Sequence, residues 1–358
     1  MSYEPIQRLE IENYGCIRKL SLCLSPLHAL IGPNDSGKST VLRALRTAAK
    51  FAGGQFDFDG DRRPLPFDPM IDTRTSGSSI GLHYADRLSY VLRNEEGVTE
   101  SVYDDQREVV VGTKRSGWSS PGVLGQKEPP AVAALANRLT PATMVRFDPN
   151  ELRRPAPQIL SHESIRFADE TGAGLASVYQ AINSRDVDAF VTIRDAVRRL
   201  FPTIRTILVP TIAQGQVVLQ TKLIDGTLVD TPAISEGLLY FLGYAALRYL
   251  SDTRLFLVEE PENGLHPVRI AEVMAILREI SRSGQVVVAT HSPLVVNELQ
   301  GHEVTVLTRD PQTGTQARLL SEVPRFQEAS KVYEPGEFWL SYADGNQETP
   351  LLTGTPRT

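Results

Sequence analysis

The stretch LIGPNDSGKST, residues 30–40, decides the fold. Residues 32–39 fit the spacing G-x-x-x-x-G-K-[ST], in which backbone N–H groups and a lysine surround a phosphate. The apolar run HALI (28–31) before the loop predicts a short buried strand, and KSTVLRALRTAAKF (38–51) after it predicts an amphipathic helix. This order of strand, loop and helix is the context that the motif requires. The alternative is a glycine turn beside a chance lysine.

The residue types of this loop suit a nucleoside triphosphate. Lys38 is expected to bridge the β- and γ-phosphates, and the Ser39 hydroxyl is expected to bind Mg²⁺. The N-terminus of the following helix adds the positive end of its dipole. The predicted nucleotide-binding residues of the loop are Gly32, Asn34, Asp35, Ser36, Gly37, Lys38, Ser39 and Thr40.

A second apolar strand ends in two acids, in RLFLVEEPENGLHP (254–267). Four consecutive apolar residues predict a buried parallel strand, and the carboxyl ends of such strands are where α/β sheets bind ligands. Glu259 fits a carboxylate near the metal, and Glu260 fits the carboxylate that polarises an attacking water. The alternative is a solvated helix cap before Pro261.

A third apolar strand, QVVVATHS (285–292), ends at Thr290 and His291. The segment 267–282 between the second and third strands reads as a helix, so the two strands are predicted to be parallel. His291 is then expected at the same sheet edge as Lys38 and Glu260, within reach of a γ-phosphate. A lone histidine is more often structural, and that alternative stays open.

The sequence PAISEGLLYFLGYAAL (232–247) begins a long apolar helix with Ser235, Glu236 and Gly237. Ser235 is a natural N-cap, and it could be only that. In the functional interpretation, Ser235, Glu236 and Gly237 bind the γ-phosphate of ATP held by a second copy of the chain, which requires a head-to-tail, two-fold homodimer.

The order phosphate loop, serine signature, acidic strand and histidine resembles the ABC-type ATPase heads. EEPENGLHP and ATHSPLVVN look like the stand-alone bacterial AAA/ABC-like ATPases related to RecF, SMC heads and the OLD (overcoming-lysogenization-defect) nucleases. RFDPNELRRP and GLASVYQAI resemble the middle region of this branch more weakly. The resemblance implies ATP and Mg²⁺ as cofactors, and it implies that Asn263, Gly264 and His266 form a loop across the dimer interface.

The sequence also departs from these relatives. Glu259 stands where an aspartate is usual, and the Ser-Glu-Gly signature lacks the glycine pair of transporter ATPases. Gln126 and Gln158 are the candidates for the glutamine that normally contacts the metal. No coiled coil separates Lys38 from Ser235, which argues against an SMC or double-strand-break-repair head. The 67 residues after His291 (358 − 291) hold no acidic DxD cluster, so a fused Toprim nuclease is not expected.

The predicted fold class is α/β, a P-loop NTPase of ABC-head type. It combines a mostly parallel central sheet with an N-terminal antiparallel β subdomain and a helical insert. The predicted divisions are an N-terminal ATPase lobe (1–130), a mainly helical insert (131–205), a C-terminal ATPase lobe (206–345) and a flexible tail (346–358). Loops are predicted at 52–78 and 112–130.

Composition limits the setting of the protein. The net charge is −6, so no global basic field favours nucleic acid or anionic lipid. Cys16 and Cys23 are the only cysteines, which fits a reducing compartment and makes a disulfide framework or zinc site unexpected. A secretory leader and a transmembrane helix are not expected either, so the predicted location is the cytoplasm.

Two surfaces are candidates for partners. Arg194, Arg198, Arg199 and Arg205, with Arg153 and Arg154, could bind DNA phosphates; a solvated or ion-paired helix face is the favoured alternative. Trp118, Trp339 and YEPGEFW (333–339) could dock a partner chain or cover the core.

Four functions compete. The favoured one is an ATP-hydrolysing sensor or motor that dimerises on ATP and controls a separate nuclease or toxin in anti-phage defence, a setting that rests on the resemblance alone. The others are a RecF-like DNA-repair clamp, a transporter ATPase subunit and a module that holds ATP without turnover. The missing transporter signature and the long middle segment weigh against the third, and Glu260 weighs against the fourth.

Overall fold

The computed structural model describes residues 3–53, 77–94, 98–105, 107–113, 130–212, 215–310, 312 and 314–342. The chain forms two compact units that alternate along the sequence. The first contains Met1–Thr143, Thr253–Glu259 and Ser281–Thr358, and the second contains Met144–Asp252 and Glu260–Ile280. The divisions predicted at 130/131, 205/206 and 345/346 stay a prediction. Most of the two predicted loops, the tail 346–358, Trp118 and Gln126 lie outside the described residues.

The first unit holds two six-stranded sheets. Its strands are β1 (Ile6–Tyr14), β2 (Ile17–Cys23), β3 (Leu27–Ile31), β4 (Ser78–Tyr84), β5 (Ser89–Asn94), β6 (Val98–Asp104), β7 (Arg107–Thr113), β14 (Leu255–Glu259), β15 (Gln285–Ala289), β16 (Val304–Asp310) and β17 (Gly314–Leu319). Its helices are α1 (Lys38–Ala52), α2 (Pro130–Leu139), α8 (Pro293–Asn297), α9 (Phe326–Ala329) and α10 (Pro335–Tyr342).

One sheet confirms the predicted antiparallel β region, with the strand order β2-β1-β4-β5-β6-β7. The alternating residues of β1 explain its place. Leu9 and Ile11 are fully buried, whereas Arg8 is exposed on the opposite face. Because the side-chain period of a strand is two, this pattern fixes which face of the sheet covers the core.

The other sheet is mostly parallel and has the order β17-β16-β3-β15-β14-β8, where β8 spans Ala142–Val145. All residues of β3, β14 and β15 are buried, as expected for strands covered on both faces. Strand β15 pairs in parallel with β3 on one side and with β14 on the other. The prediction that the acidic strand and the histidine strand are parallel is therefore confirmed, and the histidine strand lies between the loop strand and the acidic strand.

The second unit is mainly helical. Its helices are α3 (Pro149–Leu152), α4 (Leu175–Arg185), α5 (Val187–Leu200), α6 (Glu236–Ala246) and α7 (Pro267–Ile280). Its short strands are β9 (Ala156–Pro157), β10 (Ile204–Leu208), β11 (Gln216–Val217), β12 (Gln220–Leu223) and β13 (Leu228–Asp230). They form the sheets β10-β12-β13 and β11-β9.

Helix α6 forms the core of this second unit. Its residues from Leu238 to Ala246 are all buried, which explains why the segment reads as apolar on every side. Phe147 contacts Tyr244 edge-on at a centroid distance of 5.0 Å and Phe167 at 5.4 Å. Among the described residues, no helix has both the length and the apolar character needed to cross a membrane.

Candidate functional site

The loop between β3 and α1 has a backbone that only glycine adopts easily at two positions. Gly32 has φ = 139° and Gly37 has φ = 107°. A Cβ atom on Gly32 would overlap the carbonyl oxygen of Leu307, which is backbone and cannot move aside cheaply. Asp35 also has a positive φ of 63°. The glycines at both ends of the motif are therefore required by the geometry of the loop itself.

Lys38 closes over the inside of the loop. Its Nζ donates to the carbonyl oxygens of Gly32 and Pro33, both at 2.8 Å, and the side chain is buried. The Ser36 hydroxyl is also buried, and it finds no hydrogen-bond partner among the described residues. A buried hydroxyl without a partner and a buried cation in one cradle fit a polyanion such as a triphosphate.

The remaining loop residues differ in exposure. Asn34, Asp35 and Ser39 are exposed to solvent, so they are accessible to a ligand. Thr40 is buried instead, and its Oγ1 lies 3.3 Å from the Sγ atom of Cys16. Thr40 lies in the first turn of α1, where its backbone N–H belongs to the helix N-terminus. Its side chain instead contacts Cys16 in the turn between β1 and β2.

Two neighbours of Gly37 were missed by the sequence analysis. A Cβ atom on Gly37 would lie 3.3 Å from Oγ1 of Thr315 and 3.4 Å from Sγ of Cys16. A side chain at position 37 would therefore have little room between Thr315 and Cys16, which both lie beside the loop. No sequence signal marks them, because Cys16 and Thr315 are far from Gly37 along the chain and neither belongs to a motif.

The carboxyl ends of three strands meet at one edge of the parallel sheet. In the strand register, Ala289 pairs with Leu30 of β3 and with Glu259 of β14. Thr290 donates its N–H to the carbonyl of Leu30 at 3.1 Å, and His291 follows as an exposed residue. The phosphate loop, Glu259 and His291 therefore leave the same sheet edge, and Glu259 is buried there.

Glu260 begins the second segment of the second unit and has an unusual backbone, with φ = 47°. Left-handed backbone at a non-glycine residue costs energy and is often found at functional sites. Its Oε2 accepts a hydrogen bond from Nδ2 of Asn263 at 2.7 Å. Pro261 begins a turn, and the next helix starts only at Pro267, so the acids do not cap a helix there.

Ser235 occupies the N-cap position of α6 without using its hydroxyl. Its carbonyl accepts the N–H groups of Leu238 and Leu239, but the side chain makes no capping hydrogen bond. Ser235 and Glu236 are both exposed. The simple capping interpretation therefore accounts for the backbone of Ser235 and leaves the side chain available.

The start of α6 lies against the loop that contains Asn263. A Cβ atom on Gly237 would be 3.4 Å from the carbonyl oxygen of Gly264, and one on Gly264 would overlap the ring of Tyr240. Gly264 has φ = 68°. The Ser235–Gly237 signature and the Glu260–Gly264 turn are thus neighbours within the second unit.

The candidate magnesium ligands are individual oxygen donors and not a cluster of ligands. Within the ranges that the structure describes, no three His, Cys, Asp or Glu residues form a metal-ligand cluster. Mg²⁺ usually keeps several waters and takes only one or two protein ligands beside the phosphates. The Ser39 hydroxyl and the Glu259 carboxylate have suitable oxygen donors, and their role as magnesium ligands stays a prediction.

Other candidates have ordinary structural explanations. Asp195 forms ion pairs with Arg194 and Arg198, and Glu272 pairs with Arg199, so most of the basic patch is paired. Trp339 is buried on α10, which contacts α8, and therefore covers the core.

Gln158, one of the two candidates for a glutamine that contacts the metal, donates from Nε2 to Oγ1 of Thr211 at 2.9 Å. The placement of Gln158 leaves its predicted contact with a metal untested, and Gln126 is outside the described residues.

Solved structures with the same fold are SMC heads. One is an SMC head bound to the C-terminal winged-helix domain of ScpA; it aligns with 88% of this chain and 99% of its own length, at 13% identity and a TM-score of 0.59. Another is the SMC head of Pyrococcus furiosus with an extended coiled coil bound to the C-terminal domain of ScpA. It aligns with 92% of this chain and 100% of its own length, at 12% identity and a TM-score of 0.54.

Two family matches add sequence relationship to this shared fold. An AAA ATPase domain family matches residues 5–63, which include the phosphate loop. An AAA domain family, whose description names the AbiEii toxin and the Type IV TA system, matches residues 134–297. Together with the shared fold, these two matches support an AAA ATPase of the ABC/SMC-like type. The matched segments include the signature, both acids and His291.

A curated protein that the chain resembles is the OLD nuclease of Thermus scotoductus (strain ATCC 700910 / SA-01). The two are 45% identical over 40 residues, which is 11% of this chain and 8% of the nuclease. Because the chain spans so little of that relative, the match transfers no nuclease activity to it.

Proposed function

We propose that the chain binds and hydrolyses ATP and that two copies, arranged head to tail, enclose two ATP molecules. The observation that carries this proposal is the single sheet edge at which the phosphate loop, Glu259 and His291 emerge from adjacent parallel strands. Ligands of α/β sheets bind outside the carboxyl ends of such strands.

The phosphate loop would bind the triphosphate of one ATP. Lys38 exchanges its contacts with the carbonyls of Gly32 and Pro33 for oxygens of the β- and γ-phosphates. The N–H groups of residues 34–39 surround the β-phosphate, and the Ser36 hydroxyl gains the hydrogen-bond partner that it lacks. Ser39 and Glu259 would hold Mg²⁺, which when bound neutralises charge that develops on the phosphates.

Hydrolysis would use Glu260 as the base. Glu260 takes a proton from a water as the water oxygen bonds to the γ-phosphorus, and the bond from that phosphorus to the β–γ bridging oxygen breaks, releasing ADP. Asn263 fixes the carboxylate through its 2.7 Å hydrogen bond. His291 would contact the γ-phosphate, where charge develops in the transition state.

The second copy would complete each site with its signature. The Ser235 hydroxyl is exposed and does not cap its own helix, so it can donate to a γ-phosphate held by another chain. The free N–H groups at the start of α6, which include those of Glu236 and Gly237, and the positive end of the helix dipole would both attract the same γ-phosphate. A two-fold axis then makes both sites equivalent.

We infer a regulatory role for this cycle, in which the ATP-bound dimer controls a separate nuclease or toxin in the bacterial cytoplasm during anti-phage defence. Support comes from the AAA domain family whose description names a toxin and a toxin–antitoxin system, and from the short match to an OLD nuclease. A nuclease or toxin gene next to the gene of this chain is the expected finding.

The alternative is a RecF-like ATPase that binds DNA during repair or recombination. Its possible support is the group of arginines on α5, but Asp195 and Glu272 already pair with three of them. If purified chain with ATP binds duplex DNA without a partner protein, this alternative is favoured over effector control.

Turnover by the purified chain tests the proposed activity. Glu260→Gln should keep ATP binding but lower the rate of phosphate release by about 10²-fold or more, the usual contribution of a general base. Glu12→Gln, on an exposed carboxylate paired with Lys19, is the matched control and should hydrolyse like the wild type. Equal rates for Glu260→Gln and wild type would refute the assignment of Glu260.

A further inference from the structure

Arg153 is a cation held at the N-terminal end of α6. It follows helix α3, whose N-cap Asp148 accepts the N–H of Asn150 at 2.7 Å. From there, the Nη2 atom of Arg153 donates to the carbonyl oxygen of Ile234 at 3.1 Å. Ile234 is the residue immediately before Ser235, so the guanidinium lies beside the signature.

The guanidinium of Arg153 has only part of its hydrogen-bonding capacity satisfied within the described residues. Its Nε atom is buried without a hydrogen-bond partner among the described residues. Within the residues that the structure describes, no carboxylate forms an ion pair with Arg153. Its neighbour Arg154, in contrast, pairs with Glu151 at 2.9 Å. A buried N–H that lacks an acceptor is costly unless a ligand supplies one.

Arg153 lies among charges of both signs at the start of α6. The N-terminus of a helix carries partial positive charge and favours anions, and Glu236 occupies the first turn of α6. The charge of Arg153 opposes the rise in the pKa of Tyr240 caused first by burial and then by Glu236 and Asp148. An anion bound between Arg153 and the start of α6 would contact both the guanidinium and the N–H groups at that helix end.

We propose that Arg153 is a further nucleotide-binding residue, which contacts the γ-phosphate of the ATP that the other copy presents to Ser235. This inference rests on the proposed dimer. A guanidinium gives a charge-assisted hydrogen bond to a phosphate oxygen, so Arg153 stabilises the dimer only when a triphosphate is present. The contact with Ile234 holds the guanidinium in place before the ligand arrives.

The first test measures dimerisation with Glu260→Gln as the parent chain. Adding Arg153→Gln should weaken the ATP-dependent dimer by about tenfold or more, because a charged hydrogen bond is lost. ATP affinity of the dilute monomer should stay unchanged, since each chain keeps its own phosphate loop. Arg153→Lys should recover part of the effect, and Arg154→Gln is the matched control that should behave like the parent.

Two outcomes of this test would overturn the inference. One is dimerisation of Arg153→Gln at the ATP and protein concentrations that suffice for the parent. The other is equal weakening by Arg153→Gln and Arg154→Gln, which would indicate a general loss of positive charge. Thermal unfolding of each variant, measured without nucleotide, separates a loss of folding from a loss of the phosphate contact.

A second test does not depend on the dimer. The probe is inorganic tripolyphosphate, titrated by ³¹P NMR against Lys38→Ala, whose own phosphate loop is disabled. The anion site is supported if Lys38→Ala binds tripolyphosphate and if adding Arg153→Gln lowers that affinity about tenfold. Absence of binding, or binding that Arg153→Gln leaves unchanged, refutes it. If the parent chain does not dimerise, the proposed function fails, and this titration alone decides the role of Arg153.

Discussion

The Nζ atom of Lys38 lies 2.8 Å from the carbonyl oxygen of Gly32, the first residue of the same phosphate loop. A second carbonyl, that of Pro33, lies at the same distance. The lysine therefore stabilises the loop without a ligand. In the proposed function, its ammonium group would exchange these carbonyl oxygens for phosphate oxygens.

Removing this ammonium group should abolish nucleotide binding. Lys38→Ala loses the charge at the centre of the loop, and we expect its affinity for ATP to fall by about 10²-fold or more, the cost of roughly two charge-assisted hydrogen bonds. Isothermal titration calorimetry with ATP and Mg²⁺ measures this. Lys19→Ala, at an exposed residue paired with Glu12, should bind like the wild type. Equal affinities for all three chains would contradict the assigned loop.

Replacing Gly32 by alanine should lower the free energy of unfolding by more than backbone strain at a positive φ alone would. Gly32→Ala brings a Cβ onto the carbonyl of Leu307, so the backbone of the loop must shift. Gly226 has φ = 93° but open space around it, and Gly226→Ala should cost only about 1–2 kcal/mol of strain. Chemical denaturation should show a clearly larger loss for Gly32→Ala. A smaller loss there than at Gly226 would contradict this packing.

The hydrogen bond between Asn263 and Glu260 should act on turnover alone. Asn263→Ala removes the donor that orients the carboxylate, and we expect kcat to fall about tenfold, which corresponds to about 1.5 kcal/mol. ATP affinity should not change. In the Glu260→Gln chain the same substitution should add no further loss. An additive loss would mean that Asn263 acts independently of Glu260.

Ser235 should matter for assembly and not for folding. Its side chain makes no capping bond, so Ser235→Ala should cost less stability than the usual ~1 kcal/mol of a lost N-cap. Asp186, whose side chain accepts the N–H of Ala189 at 2.9 Å, provides the comparison: Asp186→Ala should show the full loss. Urea unfolding measures both, and equal losses would show that Ser235 is only a cap.

His28 makes the stability of the first unit depend on pH. It is fully buried on β3, with Nδ1 3.0 Å from Oγ of Ser25 and Nε2 2.8 Å from Oγ1 of Thr305. Burial lowers its pKa from 6.5 to about 3; the charge of Glu303 opposes this shift, and that of His302 adds a smaller contribution in the same direction. The folded chain therefore keeps His28 neutral at pH values where the unfolded chain protonates it.

Because the folded pKa is the lower one, the contribution of His28 to stability is present above pH 6.5 and is lost as the pH falls toward 3. At about pH 5 the loss should be about 2 kcal/mol. His28→Gln should reduce this pH dependence, since glutamine does not titrate. Urea unfolding at several pH values tests it, and identical pH profiles for the two chains would contradict the buried neutral histidine.

Local patterns were sufficient to predict the parallel sheet and its loop. The strands β3, β14 and β15 are mainly apolar and buried, and polar residues with proposed chemical roles lie at the end of each, so strand type and site edge could both be predicted from the sequence. The pairing of β15 with both neighbours then placed Glu259 and His291 as expected.

Contacts between distant residues could not be predicted in the same way. Thr315 lies beside Gly37, and Arg153 donates to the carbonyl of Ile234, yet neither residue belongs to a motif or shows a periodic pattern. The sequence indicated Arg153 only as a member of a basic patch, because nothing local distinguishes it from the ion-paired Arg154. Its different environment arises from the packing of α3 against α6.

Mixing two inactive chains tests the central claim, that each copy completes the site of the other. Lys38→Ala lacks a working phosphate loop, and Ser235→Arg lacks a working signature, so neither should hydrolyse ATP alone. A mixed dimer combines the intact loop of one chain with the intact signature of the other. We predict that ATP hydrolysis appears only in the mixture, together with particles of twice the 39.5 kDa chain mass in light scattering. A mixture that stays as inactive as its components would contradict the account.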